Sequence, residues 1–185
     1  MPFWRPRSCL PLAVAALSLT RHPRASSPTT SSTPTVSVSS TTAPTIDPNI
    51  PAAARAHTPA GAEAFVKYFF ERLNVAWTAP RAGILSPLCQ ASAIACTAFE
   101  KTATRLTNAG HHYDGNPLTI GFIGPLGVPS TEQLGVLAIV VQEPRREIDA
   151  AGKTFVTDKR KDLRFDFELL YIGQGWSVSS INLMK

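Results

Sequence analysis

The chain of 185 residues carries 18 Lys and Arg against 13 Asp and Glu, a formal net charge of +5, and three cysteines. Its length allows one domain with appendages. Its charge does not imply nucleic-acid binding. Between Gly61 and Lys185 there are 13 basic and 12 acidic residues, so the excess sits in Arg5, Arg7, Arg21, Arg24 and Arg55. The one clustered run, Lys159-Arg160-Lys161, is flanked by Asp158 and Asp162 and reads as a solvated loop or strand end.

The first segment, residues 1–24, has the arrangement of a secretory signal peptide. Arg5 and Arg7 precede a mostly apolar run from Ser8 to Thr20, too short to span a bilayer comfortably. Ala16-Leu17-Ser18 offers a small-residue cleavage site. Pro11 interrupts the run, Arg21, His22 and Arg24 follow it, and Cys9 stands at its beginning rather than its end. Export is therefore the expectation, with association of the N-terminus with a membrane as one outcome.

Residues 25–57 form the expected linker. From Ala25 to Pro48 there are seven Ser, seven Thr and four Pro with one charge and no aromatic. Such a composition buries too little apolar surface to offset about 1–2 kcal/mol of backbone entropy per residue. It predicts an extended, solvated tether, and the domain is expected to occupy residues 58–185.

Within that domain, GAEAFVKYFFERLNVAWTA at residues 61–79 predicts an amphipathic helix. Thr58-Pro59 forms its entry, and Phe65, Phe69, Leu73, Ala76 and Trp77 recur at helical spacing. Val66 and Phe70 widen the stripe, so this helix should be covered on more than one side. A second helix is expected over residues 92–109, with Ile94, Phe99, Ala103 and Leu106 inward and Gly110 closing it.

Beyond Gly110 the period changes to two. Leu118–Phe122, Leu134–Val141, Leu163–Ile172 and Trp176–Leu183 read as strands, and Ala150–Lys153 as a turn between paired segments. Leu163, Phe165, Phe167, Leu169 and Tyr171 share one face while Arg164, Asp166 and Glu168 share the other, so one side is buried and one is wet. Trp176 and Val178 are out of phase with Ile181 and Leu183, which predicts a bulge near Ser179 and Ser180. Helices first and an antiparallel sheet after give an α+β class.

Cys89 and Cys96 lie seven positions apart. In one continuous helix they would be about 10.5 Å apart along the axis, beyond the roughly 7 Å that a disulfide spans. Ser86-Pro87 places Cys89 in a loop and Cys96 in the first turns of the helix, which lets the pair close. A disulfide is the leading reading, and two buried free thiols are the alternative. A zinc site lacks two further ligands nearby, and a redox pair would be closer spaced.

The helices, the Gly173-Gln-Gly175-Trp176-Ser-Val178 hairpin and the sheet resemble the cone-shaped nuclear-transport-factor-2-like superfamily, SnoaL-like proteins included. AFVKYFFERLNVAW with LSPLC, a second Cys and the preceding Ser/Thr/Pro tether resembles an uncharacterised family of actinobacterial exported, lipoprotein-like proteins. The likeness covers Thr58 to Lys185. The chain departs from that family in lacking a Cys directly after the apolar run and in its longer Cys89 to Cys96 spacing. What the resemblance implies is a fold, because the superfamily hosts isomerases, cyclases, dehydratases and non-catalytic binding domains.

An enzyme of that kind needs an ionisable base inside the cone. The inward faces of the last two strands and both faces of Leu134–Val141 offer no acid and no His. Tyr68 and Asn74 on the first helix, and His111, His112 and Asp114 after the second, are the polar candidates. His111-His112-Tyr113-Asp114 could supply metal ligands but lacks a distant partner residue, and it reads as a solvated loop. Gly-x-Ser-x-Gly and a phosphate loop are absent, and GFIGPLG at 121–127 reads as an irregular strand end. No catalytic, cofactor-binding or metal residue is assigned. The expectation is a non-catalytic extracytoplasmic domain on a tether, whose partner is an envelope protein, a glycan or a small apolar ligand. The alternative is an isomerase or dehydratase with Asp114, His111 or His112 as base.

Overall fold

A computed structural model describes residues 49–127, 130 and 132–184. The signal-like segment 1–24 and the Ser/Thr/Pro run to Pro48 lie outside them. Elements follow in the order α1 (Ala52–Arg55), α2 (Pro59–Thr78), a 3-10 turn (Ser86–Leu88), α3 (Ile94–Ala109), β1 (His111–Tyr113), β2 (Leu118–Leu126), β3 (Gln133–Gln142), β4 (Arg146–Asp149), β5 (Thr154–Thr157), β6 (Lys161–Ile172) and β7 (Gly175–Met184). The α+β class read from the sequence is the one found: helices packed on antiparallel sheets.

α2 begins where the sequence marks it. The Thr58 hydroxyl accepts from the Gly61 amide at 3.0 Å, and Pro59 occupies the first turn, where its missing N–H costs nothing. Phe65, Phe69, Leu73 and Ala76 are buried as their spacing demands, and so are Val66, Tyr68 and Phe70, so the helix is covered on two sides. Tyr68, one of the polar candidates, is 8% exposed.

Four strands form one antiparallel sheet in the order β2-β3-β6-β7. Their register aligns Val136, Phe167 and Ile181 in one row and Leu134, Leu169 and Val178 in another, all buried in the core. The predicted bulge is present: Glu168 pairs Ser180 and Leu169 pairs Val178, leaving Ser179 extra, with its hydroxyl donating to the Glu168 carbonyl at 2.9 Å. That one residue brings both halves of β7 onto the buried face. Gly121 is a second extra residue, in β2, so GFIGPLG begins with a bulge, continues as edge strand to Leu126 and leaves the sheet at Gly127.

Between α2 and the sheet the space is filled by rings. The Phe167 centroid lies 5.4 Å from Phe69 and 5.5 Å from Phe70, and Phe70 lies 5.9 Å from Phe165. Edge-to-face packing of this kind leaves side chains, not solvent, in the interior.

α3 covers the other side of α2 through Cys96, Ala103 and Leu106 and closes on Gly110, whose φ of +66° suits a residue without Cβ. Ile94 was expected inward and is instead 82% exposed. At about 3.6 residues per turn, Ile94 falls half a turn around the helix from Ala103, on the side away from the buried Cys96, Ala103 and Leu106. The Glu100 carboxylate accepts from the backbone amides of Gly83, Leu85 and Ser86 and thereby fixes the turn that leads to Cys89.

Cys89 and Cys96 are joined as a disulfide, with Cα atoms 6.4 Å apart. Cys89 sits extended at the end of the 3-10 turn and Cys96 in the first turn of α3. The bonded loop lies along β7, where the Gln90 amide donates to the Val178 carbonyl at 2.8 Å and the Gln90 side chain to the Ser177 hydroxyl at 2.7 Å. Closing so short a ring restricts the unfolded chain by about 2.5 kcal/mol. Replacing both cysteines by serine is expected to lower the unfolding free energy by about that amount in urea titrations. The native protein should titrate no thiol at Cys89 or Cys96 without reductant; two reactive thiols there would overturn the disulfide.

The packed structure reaches upstream of Thr58, where the domain was expected to start. Ile50 and Ala54 are 2% and 1% exposed within the core. The Trp176 indole donates to the Ala56 carbonyl at 2.8 Å, and His57, expected in the linker, stacks on Tyr171 at 3.8 Å. Gly61 makes this crossing possible, since a Cβ there would lie 2.0 Å from the Ala56 carbonyl oxygen. A four-residue helix carries no readable period, which is why composition alone assigned these residues to the tether.

Candidate functional site: a groove at the ends of two helices

Pro80 stops the first long helix and Gly110 reverses the chain after the second, so α2 and α3 end near the start of β1. Between them lies an open groove of about 660 Å³. Val75, Pro80, Ile84 and Leu106 give it apolar walls, while Arg81, His111 and His112 border it. Among the described residues no Asp or Glu lines it.

His111 and His112 were expected in a solvated loop and instead belong to β1, paired antiparallel with β4. A charged sequence such as Arg145-Arg-Glu-Ile-Asp149 has no strand-like apolar face, so the pairing was not legible. It brings the groove against the one buried acid among the described residues. Glu147, 3% exposed, receives Arg105 on both oxygens, Nη1 to Oε1 at 2.7 Å and Nη2 to Oε2 at 2.8 Å. His111 Nδ1 lies 2.8 Å from the same Oε1. Phe155 covers the imidazole at 3.9 Å between centroids.

Electrostatics follow from this geometry. The paired Arg105 guanidinium, helped by His111, holds the Glu147 carboxyl below the ordinary carboxylate range, against the opposing effect of burial. Arg105 is raised in turn by its bond to Glu147. Burial, with the Asp158 carboxylate nearby, pushes the Tyr113 phenol up. A carboxylate this well supplied with donors is a fixed anion, and it sets the His111 tautomer: Nδ1 carries a hydrogen toward Glu147.

The other candidates separate from the groove. Asp114 is committed to Arg146, accepting from its Nε at 2.7 Å and its backbone amide at 3.0 Å, and these bonds hold its carboxyl low. Asn74 clamps the start of β2, donating to the Leu118 carbonyl at 2.8 Å and accepting from the Leu118 amide at 3.0 Å. The structure thus brings His111 and His112 to one groove and leaves Asp114, Asn74 and Tyr68 in structural positions. Among the described residues no group of three or more His, Cys, Asp and Glu is arranged to hold a metal ion. Nor is any described helix long and apolar enough to cross a membrane.

Comparison with protein-family models and with curated proteins gives no match. Among solved structures, a domain of unknown function with a cystatin-like fold from Nostoc punctiforme aligns over 69% of this chain and 78% of its own, at 14% identity and a TM-score of 0.44. The intermembrane space region of the chloroplast protein ARC6 aligns over 70% of this chain and 98% of its own, at 15% identity and a TM-score of 0.53, a likeness of fold.

Proposed function

We propose that the chain is a non-catalytic extracytoplasmic domain, carried on its Ser/Thr/Pro-rich segment and serving as a binding or scaffolding module at a bacterial cell envelope. The observation that carries this reading is the filled interior. Where an isomerase or dehydratase of a cone-shaped fold needs a pocket with a base, Phe69, Phe70, Phe165 and Phe167 occupy the space. The Cys89–Cys96 disulfide favours an oxidising compartment. The actinobacterial exported family is the group to which this reading attaches the chain, with an envelope protein, a glycan or a small apolar ligand as partner.

A second reading, an enzyme with His111 as base, is favoured by the Glu147–His111 pair. A groove ligand recovered chemically unchanged after prolonged incubation favours binding, and a changed one favours catalysis.

The primary reading is checked in intact cells. A membrane-impermeant amine reagent is expected to modify the exposed Lys67 and Lys101, with a cytoplasmic control protein unlabelled. Protection of both lysines until lysis would overturn the location. A photo-crosslinker at Arg81, on the groove, is expected to give a reproducible adduct; no adduct from this or other surface positions would overturn the binding role.

A further inference from the structure

We propose that the groove is a binding site for a small, neutral, largely apolar molecule bearing a hydroxyl, oriented by a hydrogen bond to Nε2 of His111. The inference deepens the reading of this domain as a binder and rests on it. Glu147 is buried and holds Arg105 on both oxygens, and its Oε1 lies 2.8 Å from His111 Nδ1, so the tautomer that fits the site carries its ring hydrogen on Nδ1. Phe155 covers one face of the imidazole. What remains for the groove that His111 lines is Nε2, a lone pair, and among the described residues no hydrogen bond occupies it. Three separate elements, β4, β5 and α3 through Arg105, hold the Glu147–His111 unit in place.

The rest of the lining agrees. Thr78 and Thr107 spend their hydroxyl hydrogens on the Asn74 and Ala103 carbonyls, at 2.9 Å each, and face a ligand as acceptors. α2 and α3 both end at the groove, and helix C-termini carry partial negative charge. These features oppose an anion, while Arg81 opposes a cation. A neutral donor is what both sets admit. Val75, Pro80, Ile84 and Leu106 then receive its apolar body, the composition usual for small-molecule sites.

The test uses the full chain with phenol and anisole, which differ in the hydrogen-bond donor. Phenol is expected to bind roughly 10-fold more tightly than anisole, about the value of one oriented hydrogen bond to a fixed partner. Its titration should move the ¹⁵N resonance of His111 Nε2 toward hydrogen-bonded acceptor values while Nδ1 stays protonated. Glu147→Gln offers an amide that can donate to Nδ1, so it should put the ring hydrogen on Nε2 and abolish the preference for phenol. If that variant does not fold, His111→Phe, which keeps the ring on Phe155, should equalise the two probes. Equal affinities in the wild type, an unmoved Nε2 resonance, or binding of neither probe at millimolar concentration would overturn the inference. Surface labelling in intact cells is independent of all three outcomes, so failure here is distinguishable from failure of the envelope reading.

Discussion

Phe167→Ala is expected to lower the unfolding free energy by about 4 kcal/mol, by the usual cost of truncating a buried Phe. For a domain of this size that is a fall in Tm of roughly 15 °C. Phe167 is fully buried, with Phe69 and Phe70 against its ring and Val136 and Ile181 beside it in the sheet. The neighbours sit on a long helix, the central strand β3 and the edge strand β7, and none of these can move inward without breaking register. The vacated volume should therefore persist and take up a small apolar probe such as xenon, seen as displaced methyl resonances of Val136 and Ile181. The measurement bears on function as well as stability. A loss below about 1 kcal/mol would mean that the wild-type interior is loosely occupied, and the argument against a catalytic pocket would fail with it.

Glu147→Ala is expected to cost about 3 kcal/mol at neutral pH, toward the lower end for breaking a buried ion pair, since the Arg105 side chain is 42% exposed and can turn to water. Its pH dependence has a definite sign. The folded-state pKa of Glu147 lies below the unfolded one, so its contribution is complete above the ordinary carboxylate range. It is lost as pH falls through the depressed folded value. Asp114, also lowered, acts in the same direction, whereas Asp166, raised by burial and by Glu168, acts in the opposite one. Urea titrations of wild type and Glu147→Ala should thus converge as pH drops from 6 toward 3. A difference that stays constant over that range would show that Glu147 contributes through packing and not through its charge.

The two features behind these predictions differ in how readable they were. Phe69, Phe70 and Phe167 announce themselves through spacing, because helical and strand periods sort apolar residues onto a face without knowledge of the partner. The phase slip between Val178 and Ile181 places the bulge near Ser179 and Ser180, and the extra residue is Ser179. The disulfide was legible for a similar reason: Pro87 forbids a continuous helix, and the geometry then permits closure. Glu147 is another matter. It sits in a charged run whose burial depends on Arg105 and His111, 42 and 36 positions away, and no local pattern distinguishes a paired buried acid from a solvated one. His111 was named as a candidate, but as part of a loop, because a three-residue strand has too few positions to show alternation. What nominated the groove is long-range pairing, the information a single chain carries least visibly.

The strap that crosses Gly61 also determines how the domain would respond to mechanical load. Among the described residues, tension arriving from the N-terminal side must peel Ile50, Ala54, the Arg55 carbonyl bonded to Tyr171 and the Ala56 carbonyl bonded to Trp176 before it reaches α2. Those contacts yield one after another, whereas the paired strands of the sheet would have to yield together. Peeling residues 50–57 would free eight residues, at most about 28 Å of extended chain, with the disulfide and the Phe69–Phe167 core intact. The strap would thus lengthen under load before the folded domain does.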